Sequence, residues 1–116
     1  MPADHTIRIR VTESGNFTYD PTHLRAHAGD TIDFQYTDSS GYPGHFEVMF
    51  KDRSPGSRTH ISNRTPRDKG PADDADNRGQ LQCNGQFGLF QYAAAVFDGK
   101  QVFIDVGCGD IGVDDP

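Results

Sequence analysis

Histidine stops at His60 and methionine at Met49, so residues 61–116 of this 116-residue chain offer a metal neither imidazole nor thioether. Cysteine is scarce as well, with Cys83 and Cys108 the only two. Basic charge is in deficit: 11 Lys and Arg stand against 17 Asp and Glu, and the net charge of −6 repels phosphate, so no nucleic-acid partner is expected from the average field. No apolar run is long enough to cross a bilayer as a helix, and no membrane partner is expected. Met1-Pro-Ala-Asp-His5 has neither the basic start nor the apolar stretch of a secretory leader. No nucleophile elbow is present, so no enzyme is expected from the motifs.

What is present suits short strands. A chain of this length buries roughly two-thirds of its unfolded surface in one core, so residues 1–116 read as a single domain. With 34% hydrophobic residues, 13 Gly and 7 Pro, strands joined by many turns fit better than a helical bundle, and the expected class is all-β. Thr6 to Val11 alternates, with Ile7, Ile9 and Val11 on one face and Arg8 and Arg10 on the other. Phe17-Thr-Tyr-Asp-Pro21 opens a second extended segment that Leu24 to Ala28 continues, and Ala28-Gly29-Asp30 turns into a strand over Thr31 to Tyr36. After turn chemistry at Asp38 to Gly44, Phe46, Val48 and Phe50 share an inward parity. Phe87 to Phe97 places Phe90, Tyr92, Ala94 and Val96 on one parity, Asp98-Gly99 signals a hairpin, and Gln101 to Val106 returns with Val102, Ile104 and Val106.

Between these halves, residues 51–80 hold Ile61 as the only large apolar residue before Leu81 and read as a long polar loop with room for one short helix. Lys51, Arg53, Arg58, Arg64, Arg67 and Lys69 against Asp52 and Asp68 give it a local charge of +4 over residues 51–69. Loops on rigid scaffolds commonly carry recognition, so Arg58, Arg64, Arg67 and Lys69 are the candidate interaction residues for an acidic protein or polyanion. The tail, residues 109–116, is acidic and contains glycine, and is expected to fray.

The segments Phe17-Thr-Tyr-Asp-Pro21, Ala28-Gly-Asp-Thr-Ile-Asp-Phe34 and Gly41-Tyr-Pro-Gly-His-Phe46, followed by Phe90-Gln-Tyr92, resemble the cupredoxin family over residues 6–50 and 87–106. The resemblance implies a Greek-key β-sandwich and, in copper-bearing members, a late Cys, His and Met ligand set beside an earlier His. Blue copper needs two imidazoles and a thiolate with a weak axial sulfur. Only His45 resembles a ligand. Ala93-Ala-Ala-Val-Phe97 stands where the late ligands would begin, and Cys108 has no histidine or methionine after it. If Phe46, Val48 and Phe50 point inward, His45 faces solvent or a neighbouring loop, because a shift of one residue changes the face. The expected protein is thus a monomeric, copper-free cupredoxin-like interaction module without a cofactor. The alternative is a copper protein with altered ligation, using His45 with some of His5, His23, His27 and His60.

His23 and His27 share a strand face about 13 Å apart, too far for one ion. Cys83 and Cys108 are open to three readings: a disulfide, two free thiols or part of a metal site. The compartment is equally open, since cupredoxins are usually exported and no leader is visible in these residues.

Overall fold

The structure is a computed structural model that describes residues 3–37, 41, 44–56, 58–63, 79–98, 101–105 and 109–114. The chain is all-β and builds two mixed sheets. Strand β1 (Asp4–Val11) pairs antiparallel with β2 (Phe17–Asp20) and parallel with β4 (Thr31–Tyr36), and β7 (Gln80–Gln82) closes this smaller sheet in the order β2-β1-β4-β7. The larger sheet runs β3 (His23–Ala26), β10 (Gly109–Val113), β8 (Gly88–Asp98), β5 (His45–Phe50) and β6 (His60–Ser62). Strand β9 (Gln101–Ile104) also pairs with β8, beyond the stretch that β10 occupies. The chain passes from one sheet to the other between β2 and β3, at a corner where the Asp20–Pro21 peptide bond is cis.

The alternation of β1 is realised as the sequence implies: Ile7 and Ile9 are buried while Arg8 and Arg10 are exposed. Phe46, Val48 and Phe50 of β5 and Phe90, Tyr92, Ala94 and Val96 of β8 meet them from the other sheet. Tyr92 stands at the centre, with the rings of Tyr19, Phe34 and Phe50 edge-on at 5.0, 5.4 and 5.7 Å, the geometry that aromatic quadrupoles favour. Its bulk fixes a neighbour. A Cβ at Gly109 would lie 2.5 Å from Tyr92 Oη, so β10 packs there only as glycine. The Tyr19 hydroxyl donates to Asp105 Oδ2 (2.6 Å) and accepts the buried Ala94 N–H (3.0 Å), which ties the smaller sheet to the β8–β9 ladder. Burial first, and Asp105 second, push the Tyr19 pKa far above its ordinary value.

Three expectations need correction. The tail expected from 109 to 116 does not fray over its first part: Gly109–Val113 is β10, parallel to β3 and antiparallel to β8, with Ile111 fully buried. Ile111 and Val113 supply the apolar parity that overrides the glycines. Residues 51–80 are not one continuous loop either, because β6 lies within them and Ile61 is in the core. Asn63 anchors its end, accepting the Phe46 N–H (2.9 Å) and donating to Gly44 O (2.7 Å). Ser54, Pro55 and Gly56 are buried, and Pro55 O accepts the Asn84 N–H (2.9 Å). Residues 64–78 lie outside the described residues. Finally, the hairpin closes one residue later than Asp98-Gly99 implies, since Asp98 pairs with Gln101. In its returning strand Val102 and Ile104 face outward, with Phe103 turned in against the β1–β2 turn at Gly15.

Candidate functional site

His45 opens β5 on the outer side of the larger sheet, and Phe46 fills the inward position beside it. Glu47, two residues on and therefore on the same face, places Oε2 3.3 Å from His45 Nε2 and Oε1 2.5 Å from His60 Nε2. His60 is within reach because it pairs with Met49, one step diagonally from Glu47. In the stretch Ala93–Phe97, Ala94 and Val96 face the core, the other three face out, and none carries a donor. The described residues therefore do not make up a thiolate and two imidazoles around one ion. Among them, no group of three or more His, Cys, Asp or Glu side chains is arranged to hold a metal. Cys108 lies outside the described residues. Cys83 is a buried free thiol whose pKa is pushed up to about 11, chiefly by burial and secondarily by the charge of Asp30, so it stays protonated at neutral pH.

The other histidines serve the frame. His5 Nε2 lies 2.8 Å from Asp30 Oδ2, and Asp30 also accepts the N–H groups of Ala3 and His27, each at 2.9 Å. The Ala3 N–H first, then His5, hold the Asp30 carboxyl down to about 2 despite desolvation. This knot fastens the start of β4 to the start of β1. His23 pairs with Asp110 (2.7 Å), and Arg25 and His27 approach Asp114 (2.7 and 3.6 Å), so these exposed groups stitch β3 to β10 and the residue after it. His23 and His27 thus have separate carboxylate partners. Of the basic loop residues, Arg58 is exposed, whereas Arg64, Arg67 and Lys69 lie outside the described residues. Arg53 is structural: its guanidinium sits 4.8 Å over the Phe90 ring and donates to Phe87 O (3.3 Å).

The two outward faces differ sharply. On the smaller sheet the outer positions are polar or charged, among them Thr6, Arg8, Arg10, Thr18, Asp20, Asp33, Gln35 and Gln80, and a shallow cleft of about 320 Å³ lies along Arg8, Arg10, Gln35 and Thr37. On the larger sheet, β8 carries an apolar spine outward. Leu89 (63% exposed) and Phe97 (46%) lie on it with Ala93 and Ala95 between, and the flanking strands add Met49 (61%), Val102 (61%) and Ile104 (68%). Register makes them neighbours, because Met49 pairs with Ala93, Val102 with Phe97 and Ile104 with Ala95. Phe87, just before β8, extends the line and is 53% exposed.

This face is what the sequence reading missed, and a signal for it exists. Phe87 to Phe97 is apolar on both parities, interrupted only by Gln91, and a strand of that composition normally has both faces covered. In the described structure one face is covered. No known family model matches the chain, and no curated protein matches it.

Proposed function

We propose that this protein is a copper-free, cupredoxin-like Greek-key β-sandwich that acts as a non-catalytic binding module, with the apolar spine of β8 and its flanks as its contact surface. The observation that carries the reading is the two-faced apolar character of β8, with only one face covered among the described residues. Exposed apolar patches rimmed by polar residues mark protein contact sites. The rims here are His45, Glu47 and His60 on one side and His23 and Asp110 on the other. The cupredoxin-like part of the reading draws on the quoted segments and on two features of the strand order: the β2–β3 segment serves both sheets, and the chain returns late, as β10, to lie beside β3. The partner is a protein with an apolar surface, and neither nucleic acid nor membrane is invoked.

A photo-crosslinking side chain placed at Met49 or Leu89, and for comparison at Thr18 or Arg8, tests this reading. Products should concentrate at the first pair. Equal yields on both faces, or more at Thr18 and Arg8, would overturn it. Copper is tested separately: Cu(II) added to the reduced protein should give no intense visible charge-transfer band, and a band abolished by Cys108→Ser would overturn the copper-free part. The alternative of altered copper ligation has one observation in its favour, the approach of His45 and His60 to the same Glu47 carboxylate.

A further inference from the structure

Strand β9 is an edge that, among the described residues, is guarded only by its four-residue length. Gln101-Val-Phe-Ile104 has no charge, no proline and no bulge, the devices by which edge strands are normally kept from pairing. Among the described residues it pairs only with β8. The Asp105 N–H donates to Ala94 O (2.9 Å), so by antiparallel alternation residues 101, 103 and 105 bond to β8, and Val102 and Ile104 turn their N–H and C=O groups away from it.

We propose that β9 pairs antiparallel with β9 of a second copy, about a two-fold axis perpendicular to the sheet at Phe103. This goes beyond the binding-module reading and is separable from it, and it replaces the monomer expected from the sequence. The register follows from the chemistry. With Phe103 opposite its own counterpart, Val102 faces Ile104 of the other copy and Ile104 faces Val102, so both residues' outward N–H and C=O groups are matched on each side. Residues directly opposite project to the same face. Val102 and Ile104 therefore join those of the other copy, and the two apolar spines become continuous across the seam. At the seam itself charge does not oppose a second copy. Although the chain carries 17 acidic and 11 basic residues, none of the side chains facing one another across Val102 to Ile104 is ionisable. A three-residue seam with its apolar flank covers on the order of a few hundred Å² per copy, against about 800 Å² in a standard stable interface. The pairing is accordingly weak, with a Kd on the order of 10 µM to 1 mM.

Sedimentation of the full chain over that concentration range tests the proposal. A reversible monomer–dimer equilibrium is expected, and it should tighten severalfold from about 0.05 to about 0.5 M salt, because screening relieves the repulsion between two chains of charge −6. Val102→Lys, at an exposed position, should weaken it at least tenfold. Adding Ile104→Glu should restore it, because each introduced lysine then faces an introduced glutamate. Val102→Pro deletes an outward N–H without touching the β8 ladder and should also break the dimer. A strictly monomeric protein at about 1 mM would overturn the proposal, and so would a dimer indifferent to Val102→Lys. Loss of cross-links at Leu89 with the dimer intact would instead remove the module reading and leave this one standing.

Discussion

The outer faces of β1 and β8 are built on the same backbone geometry and treat water in opposite ways. On β1 every second residue is polar, so the strand has one apolar face and spends it on the core. On β8 nearly every residue is apolar, so the strand has a second apolar face beyond what the core consumes. The contrast separates two placements of hydrophobicity that composition alone merges: inward residues hold the sheets together, and outward ones are exposed among the described residues.

The contrast can be broken most readily on β8 itself. Phe90→Ala, inward, should cost about 3–5 kcal/mol in urea unfolding. Its neighbour Leu89→Ser, outward, should stay within about 0.5 kcal/mol of the parent. Comparable losses at the two positions would mean that the outer face is part of the fold.

Tyr19→Phe comes next. It removes the hydroxyl that accepts the buried Ala94 N–H and donates to Asp105, and should destabilise by about 1–3 kcal/mol. A neutral result would show that the tie between the sheets is dispensable.

The Asp30 knot gives a pH signature. Its carboxyl titrates near 2 in the folded protein, below the usual value of about 4. The stability it lends is therefore present above about pH 4 and lost as pH falls through 2. Asp30→Asn should melt lower than the parent at pH 7, and the gap should narrow between pH 4 and 2. A gap in Tm that is constant with pH would exclude this carboxylate as its source.

The smallest effect separates the two faces without any partner. Met49→Ser should reduce the fluorescence of a dye that binds exposed apolar surface, while Arg10→Ala should leave it unchanged, with both variants as stable as the parent to within about 0.5 kcal/mol. Equal dye responses would erase the distinction.

Period-two alternation made β1, β4 and β5 legible, and with them most of the inward residues, because a half-buried strand writes its face into every second position. Where a segment is apolar on both parities, as in β9 with Val102, Phe103 and Ile104, the pattern does not say which parity is buried, and packing of Phe103 beside Gly15 decides it. Strand β10 was hidden for another reason. Its glycines at 109 and 112 look like loop, yet the first is required by the bulk of Tyr92, a contact between positions far apart in sequence. The reading of His45 as outward followed from Phe46, Val48 and Phe50, whereas its approach to Glu47 and His60 depends on the β5–β6 register, which no local pattern encodes. Arg58, the one described residue of the four candidate interaction residues, is exposed as a recognition residue must be, but exposure alone does not single it out.

Strand β3 waits longest for its neighbour. Leu24 pairs with Ile111, 87 residues further along, so at about 5–20 residues per second a ribosome needs roughly 4 to 17 s after making one to deliver the other. For that interval the newborn larger sheet has a gap beside β3, and the rings of Phe90 and Tyr92 remain uncovered on that flank once they emerge. The order of synthesis thus leaves the most apolar strand of the chain open on several sides at once, and the arrival of residues 109–113 is the event that closes its flank towards β3.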